Sequence, residues 1–198
     1  MPHRLRISGG SLKGRFIEVP PTRVRPAEES LRSALFSMLQ SMGKVPGDRF
    51  LDVFAGTGSF SFEALSRGFE EALAVEVDPR AVSIIHKNAR SLGVADRLKV
   101  HGGDFRRVLP SLYRKIKSGR EKPFDVVVAS PPYEHGLEEE FLSLFAYNPL
   151  VDEGGLVVVQ HSFRTFLDTD YEGKILLRKV KSRSKGITVL SFYVVLFE

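Results

Sequence analysis

Residues 50–60 place the strongest single constraint on what this 198-residue chain can fold into. The stretch begins as a short apolar run, which predicts a strand buried on both faces. The run breaks at Gly56 and Gly58, and an amphipathic segment follows over residues 59–67. A strand, a glycine turn and a helix in this order predict an α/β fold whose ligand lies at the carboxyl end of the strand.

Turns of this kind hold two classes of ligand. A dinucleotide site needs a third glycine, or an alanine, where this chain has Ser61, and Asp52 inside the strand end would repel the pyrophosphate. S-adenosylmethionine carries a sulfonium and an ammonium group, and a carboxylate suits both cations better. We therefore expect S-adenosylmethionine here, with a merely tight turn as the alternative.

Strands and helices alternate along most of the chain. The predicted helices cover residues 27–42, 59–67, 79–92, 105–117 and 137–147, and the predicted strands cover residues 50–54, 72–77, 98–101, 124–129 and 156–160. The tail differs, since residues 174–181 and 187–197 predict two antiparallel strands. We expect a Rossmann-like, mostly parallel seven-stranded sheet with a C-terminal antiparallel hairpin over residues 26–198. Residues 1–25 predict a small basic β-hairpin arm.

Composition excludes several classes of site. The chain has no cysteine, so it has no disulfide framework, thiolate zinc site or cysteine nucleophile. Its five histidines show no metal-ligand spacing, and we expect no metal. No apolar run reaches the length of a membrane span, and the first residues lack the apolar core of a signal peptide. A cytoplasmic protein without a membrane partner is expected.

The net charge of +5 favours an anionic partner, nucleic acid first, over a merely solvated basic surface. Basic residues concentrate near the two ends of the chain, whereas the middle is nearly balanced. The residues predicted to contact RNA are Arg4, Arg6, Lys13, Arg15, Arg23, Arg25, Arg183 and Lys185.

Two acids lie at the carboxyl ends of the second and third predicted strands of the parallel sheet. Glu76 lies 18 positions after Gly58, the spacing at which an acid can hydrogen-bond a ribose diol. Asp104 can accept a hydrogen bond from an adenine amino group, or it can be the N-cap of the helix that follows. Phe105 can pack on a purine face or belong to the core.

The sharpest motif is Ser130-Pro131-Pro132-Tyr133, directly after a buried strand. Two prolines fix an extended turn without backbone donors, which leaves the Pro131 carbonyl as an acceptor. Ser130 adds a second acceptor, and Tyr133 offers an aromatic face for a planar base. Together these groups suit a flat molecule that carries an amino group.

These motifs resemble those of S-adenosylmethionine-dependent amino-methyltransferases, which have a similar Pro-Pro-aromatic turn after the fourth strand. Outside the core, the chain is similar to the bacterial RsmD family, which methylates guanine N2 in small-subunit ribosomal RNA. The segments that carry this resemblance are 6–15, Arg25-Pro26, 31–39, 63–68 and 186–193. The chain departs from the family at Ser130, where Asp is usual, and at Ala27, where Thr is usual.

The resemblance implies a class I methyltransferase fold and methyl transfer to guanine N2 in 16S ribosomal RNA, with Ser130, Pro131, Pro132 and Tyr133 as the catalytic turn. The implied cofactor residues are Asp52, Phe54, Ala55, Gly56, Thr57, Gly58, Glu76, Val77, Asp104 and Phe105. The implied partner is ribosomal RNA or the assembling small subunit, and a monomer is expected. The alternatives are a DNA amino-methyltransferase, acting on cytosine N4 or adenine N6, and a non-catalytic RNA-binding module on the same fold.

Overall fold

The computed structural model describes residues 3–19, 27–44, 46–133 and 135–197, with the side chains of residues 27 and 28 also outside the description. The chain forms two compact units, Met1–Gly103 and Asp104–Glu198. The predicted boundary between arm and catalytic domain, after residue 25, lies outside the described residues, as do Arg23 and Arg25.

Unit 1 contains a hairpin and a three-stranded parallel sheet in which β4 lies between β3 and β5. Its elements are β1 (His3–Arg6), β2 (Phe16–Val19), α1 (Ala27–Ser41), β3 (Arg49–Val53), α2 (Ser59–Ser66), β4 (Glu71–Glu76), α3 (Pro79–Leu92) and β5 (Leu98–Gly102). Every residue of β3 is buried, which confirms the strand predicted from its apolar run.

Local sequence chemistry sets the ends of α3. Asp78 accepts a hydrogen bond from the Arg80 backbone N–H at 2.9 Å, and Pro79 occupies the first helical position, where no donor is needed. Gly93 closes the helix with φ 71°, a conformation that glycine adopts without strain. The observed helix therefore has the predicted bounds.

The N-terminal hairpin of β1 and β2 is docked on unit 1 by polar anchors as well as by an apolar face. Asn88 on α3 forms two hydrogen bonds of 2.9 Å with the backbone of Glu18. On α2, the buried Glu63 accepts from the Ser8 backbone N–H at 3.1 Å and pairs with Arg32 at 3.2 Å. The buried apolar residues of the hairpin are Leu5, Ile7, Ile17 and Val19.

Unit 2 contains a five-stranded mixed sheet in the order β6-β7-β10-β9-β8, in which β6 and β7 are parallel and the other pairs are antiparallel. Its elements are α4 (Phe105–Lys117), β6 (Phe124–Ala129), α5 (Leu137–Tyr147), β7 (Val151–Ser162), β8 (Asp170–Glu172), β9 (Leu176–Lys185) and β10 (Thr188–Leu196). The antiparallel hairpin predicted from the sequence is present, but its two-residue turn lies at Gly186 and Ile187, one position later than the predicted Lys185 and Gly186, and Gly186 has φ 59°.

The structure corrects the predicted strands in three places, the first being β9, which ends at Lys185 and not at residue 181, because its pairing with β10 continues to Thr188. Together the sheets of the two units have eight strands within the described residues, one more than predicted. The extra strand is the three-residue β8, which is too short to leave a periodic signal. Strand β7 also begins five residues earlier than expected, because Val151 pairs with Phe124 before an irregularity that brings Leu156 opposite Val126.

None of the helices in the described parts of the chain is long and apolar enough to cross a membrane.

Candidate functional site

The loop between β3 and α2 in unit 1 has an unusual backbone. Phe54, Gly56 and Gly58 have φ values of 62°, 55° and 74°, so three left-handed residues fall within five positions. Phe54 is the one non-glycine residue with positive φ among those described, and such strain costs about 1–3 kcal/mol and persists only where the surroundings hold it in place. A strained loop at the end of a buried strand indicates a functional turn.

Glu76, at the end of β4, fastens this loop. Its Oε2 accepts a hydrogen bond from the Gly56 backbone N–H at 2.6 Å, and its Oε1 accepts from the Asp78 N–H at 3.0 Å. A carboxylate has lone pairs for about four hydrogen bonds, so both oxygens retain acceptor capacity for a ligand. The neighbouring Val77 is 67% exposed, an unusual position for an apolar side chain beside a buried acid.

Asp52 is fully buried below the loop. Its Oδ2 accepts from the Ser61 backbone N–H at 3.2 Å and from the Ser61 hydroxyl at 2.7 Å. Its Oδ1 has no hydrogen-bond partner within the described structure. Burial raises the pKa of Asp52 to about 7, because the desolvation of the negative charge outweighs the two hydrogen bonds from Ser61. A cation beside Oδ1 would supply that compensation.

Ser61 therefore has a role that sequence reasoning did not assign to it. In the sequence it is only a departure from a dinucleotide motif, whereas in the structure its backbone N–H and its hydroxyl both donate to Asp52. The nine-residue separation spans a strand end and a helix start, so only the fold shows the contact.

In unit 2, Asp104 is the N-cap of α4, which is one of the two roles predicted for it. Its carboxylate accepts from the Arg106 backbone N–H at 2.9 Å and pairs with the Arg106 guanidinium at 3.0 Å. Phe105 is only 5% exposed, and the same guanidinium lies 4.9 Å from its ring centroid. The predicted contacts of both residues with adenine remain predictions.

The Ser130-Pro131-Pro132-Tyr133 turn follows directly after β6 in unit 2. Pro131 is buried, Pro132 is exposed and Tyr133 is half-buried. The Tyr133 hydroxyl accepts from Gln160 Nε2 at 3.1 Å and lies 3.0 Å from Thr188 Oγ1. Two side chains from β7 and β10 thus fix the direction of the tyrosine ring.

Gln160 and Thr188 were not predicted as site residues, since they lie 27 and 55 positions from Tyr133. The register of the sheet brings them together on one face, where Leu190 stands opposite Gln160 and Ser162 opposite Thr188. Sequence spacing carries no signal for such a pair.

The predicted RNA-binding residues are described separately in the two units. In unit 1, Arg4, Arg6, Lys13 and Arg15 are all exposed, although Arg6 pairs with Glu29 at 3.3 Å and Arg15 donates to the Ser91 carbonyl at 3.1 Å. In unit 2, Arg183 and Lys185 are exposed on β9. Lys181, two positions earlier on the same face of β9, extends this basic row, although it is not among the residues predicted to contact RNA.

Comparisons with known proteins identify the family. Residues 5–194 match the family model described as "Conserved hypothetical protein 95". Ribosomal RNA small subunit methyltransferase D of Escherichia coli (strain K12) is 29% identical over 167 residues, which cover 84% of this chain and 79% of that protein.

Solved structures agree on the fold. The structure of yhhF from Escherichia coli matches with a TM-score of 0.79 at 25% identity and covers 99% of this chain and 100% of that chain. An RNA methyltransferase from Salinibacter ruber, in complex with S-adenosyl-L-homocysteine, matches in fold with a TM-score of 0.60 at 17% identity, covering 84% of this chain and 92% of that one. The predicted fold class and family are thus confirmed: the chain has the class I methyltransferase fold and belongs to the conserved hypothetical protein 95 family, the RsmD family.

Proposed function

We propose that this protein is an S-adenosylmethionine-dependent ribosomal RNA methyltransferase that modifies the N2 amine of a guanine in 16S ribosomal RNA. The name of the Escherichia coli relative supports action on small-subunit ribosomal RNA. The observation that carries the choice of an amino group is the Ser130–Tyr133 turn, whose tyrosine is held by Gln160 and Thr188. The choice of guanine N2 rests on the family resemblance of the flanking segments.

The residues of unit 1 fit the cofactor. Asp52 Oδ1 is a buried acceptor without a partner in the described structure, which suits an ammonium group. A side chain at Gly56 would meet nothing within 4 Å, so the loop leaves open space above its backbone. Glu76 offers acceptors to a ribose diol, and the exposed Val77 offers an apolar face to a purine. When bound, S-adenosylmethionine supplies an electrophilic methyl group on a sulfonium.

The turn in unit 2 has the groups needed to hold the target base. A base stacked inside an RNA helix cannot place its amino group in line with the methyl–sulfur bond of the cofactor, so it must first leave the stack. The half-buried Tyr133 ring, with its hydroxyl anchored on two sides, provides a rigid stacking surface. The amino group can then donate to the Pro131 carbonyl and to the Ser130 hydroxyl.

These two hydrogen bonds explain how the turn promotes the reaction. They favour a pyramidal nitrogen whose lone pair points away from the acceptors and toward the methyl carbon. The nitrogen forms the new bond as the carbon–sulfur bond breaks. Its extra proton goes to water, since a serine hydroxyl is too weak a base to take it. The contribution of the protein is therefore mainly positioning and electrostatics.

The decisive experiment is methyl transfer from labelled S-adenosylmethionine to unmodified small-subunit RNA, offered naked and as assembled subunits, with duplex DNA in parallel. Products are digested to nucleosides and identified by mass spectrometry. N2-methylguanosine is the expected product. Methylated cytosine or adenine in the DNA reaction would instead support the DNA amino-methyltransferase, and cofactor binding without any product would support the non-catalytic module.

Variants of the turn test its assigned roles. Ser130→Ala removes an acceptor and is expected to cost ~1–3 kcal/mol in kcat/KM, so a loss within about twofold would refute its role. Tyr133→Ala removes the stacking surface and should cost a similar amount. Tyr133→Phe is the matched control, because it keeps the ring and loses only the bonds to Gln160 and Thr188. It should lie between wild type and Tyr133→Ala.

A further inference from the structure

An exposed cluster of apolar side chains lies in unit 2 where β7 ends and β10 begins. Phe163 is 57% exposed, Phe166 is 86% exposed and Ile187 is 55% exposed. Single exposed apolar residues are common on protein surfaces, but a cluster needs an explanation. The Phe163 backbone N–H donates to the Ile187 carbonyl at 2.9 Å, which places these two residues side by side, and Phe166 follows three positions later in the same loop. We call Phe163, Arg164, Phe166 and Ile187 the aromatic patch.

The loop that bears the two phenylalanines is ordered by hydrogen bonds at its start. The Thr165 backbone N–H donates to the Ser162 carbonyl at 2.9 Å, and the Arg164 N–H donates to the Ser162 hydroxyl at 3.2 Å. These bonds tie the exposed rings to the end of β7. An ordered backbone therefore keeps both phenylalanine rings exposed to solvent.

The loop is also anchored directly after Phe166. Leu167 is buried, and its carbonyl accepts a hydrogen bond from Lys179 Nζ at 2.6 Å. The Asp168 carbonyl accepts from the Tyr193 hydroxyl at 2.8 Å. Phe166 is therefore 86% exposed beside a residue that is fixed in the core, so its exposure is a built feature of the loop.

The surroundings of the patch are basic. The Arg164 guanidinium lies 5.6 Å from the Phe163 ring centroid. On β9, Lys181, Arg183 and Lys185 stand opposite Phe192, Leu190 and Thr188, and all three are exposed. The sequence contains no acid from residue 154 to 167 or from residue 173 to 197. This charge is complementary to a phosphate backbone.

The patch is continuous with the turn proposed to hold the target base. Ile187 is followed by Thr188, whose hydroxyl contacts the hydroxyl of Tyr133 at 3.0 Å. The cross-strand register places Arg183 and Lys185 on the face of the sheet that carries Gln160 and Thr188. The aromatic patch thus adjoins an anchor of Tyr133 along the chain, and the basic row of β9 shares the sheet face of that anchor.

We propose that the aromatic patch binds unpaired RNA nucleotides that flank the target base, with Phe163 and Phe166 stacking on bases and the basic row of β9 following the phosphates. Aromatic rings beside basic side chains are the usual surface for single-stranded RNA, since every base has a face for stacking. The proposal rests on the proposed function, because it assigns the substrate of that same site. It adds that the substrate is single-stranded around the modified base.

The test compares binding of a fluorescein-labelled single-stranded RNA of about ten nucleotides with binding of the same sequence as a duplex, by fluorescence anisotropy. In Phe163→Ala/Phe166→Ala, affinity for the single strand should fall about tenfold per ring, and affinity for the duplex should change little. The same double change to leucine should lose as much affinity as the alanine variant, since leucine keeps the apolar surface but has no aromatic face. Tyr147→Ala, at an aromatic residue that is 58% exposed at the end of α5, is the matched control and should bind as wild type does.

The contrary outcomes are distinct. Unchanged single-strand binding in the alanine variant would overturn the inference. Full retention of RNA binding in the leucine variant would overturn it as well, because apolar area without an aromatic face would then be enough. Methyl transfer to RNA that is undiminished in the alanine variant would leave the proposed function standing and refute the patch. Conversely, an RNA affinity that depends on both rings in a protein without methyl transfer would support the patch and refute the enzyme.

Discussion

Asp52 provides the most quantitative test of the structure. It is fully buried, and its Oδ1 has no partner within the described residues. Burial, the largest influence, raises its pKa from an ordinary value of 3.8 to about 7, although two hydrogen bonds from Ser61 oppose the change. The folded protein therefore prefers the protonated carboxyl, whereas the unfolded chain ionises at the ordinary value.

This preference makes stability depend on pH in a defined direction. Below pH 3.8 the carboxyl is protonated in both states, and its contribution to stability is fully present. As the pH rises toward 7, the unfolded chain gains the advantage of ionising, and that contribution is lost. A change of about three pKa units corresponds to about 4 kcal/mol in the free energy of unfolding.

The assay is urea unfolding of wild type and Asp52→Asn from about pH 4 to about pH 8, the window that spans the two pKa values. The asparagine cannot ionise, so the variant should become more stable than wild type as the pH rises, by about 4 kcal/mol across this window. Asp96→Asn, the same substitution at an exposed position, controls for the change in net charge. A difference between wild type and Asp52→Asn that varies by less than about 1 kcal/mol would refute the reasoning, because Asp52 would then be ionised in the folded protein throughout.

Three further predictions concern two buried acids and one close backbone contact. Glu63→Gln removes the carboxylate that pairs with the buried Arg32, which should lower the free energy of unfolding by about 3–5 kcal/mol in urea titrations. Gly10→Ala would place a Cβ 1.9 Å from the Ser66 carbonyl oxygen at a φ of 80°, so it should release the hairpin and increase its proteolysis while the urea midpoint changes less. Glu138→Gln should stabilise the protein, because both oxygens of this buried acid lack described partners and burial raises its pKa. The gain in the free energy of unfolding should grow as the pH rises above the ordinary range of a glutamate. A gain that is constant with pH, or a loss, would contradict the prediction.

The sequence determined the features that depend on neighbouring residues. Helix α3 has its predicted ends because Asp78, Pro79 and Gly93 act within one turn of the helix. Helices α4 and α5 also have their predicted bounds. The strand, glycine turn and helix around Gly56 were evident for the same reason, since apolar runs and glycines report local conformation directly.

The tertiary structure decided which side chains meet. Tyr133 reaches Gln160 and Thr188 through the register of three strands, and a shift of one residue would turn both side chains to the other face. Asp104 had two possible roles in the sequence, and the observed helix start showed one of them, the N-cap. The boundary of the arm and the roles of Arg23 and Arg25 lie outside the described residues and remain predictions.

The solvent exposure of side chains shows most clearly the difference between what the sequence determined and what the tertiary structure decided. Residues 163–167 are mostly apolar or basic, and nothing in their order separates a buried leucine from a phenylalanine in solvent. In the fold, Leu167 is 3% exposed and Phe166 is 86% exposed. Burial depends on what the rest of the chain places above a residue, whereas turns and caps depend on the residues beside it. The sequence by itself therefore determined the helices, most of the strands and the family resemblance, and only the tertiary structure decided the anchors of Tyr133, the charge state of Asp52 and the exposure of the aromatic patch.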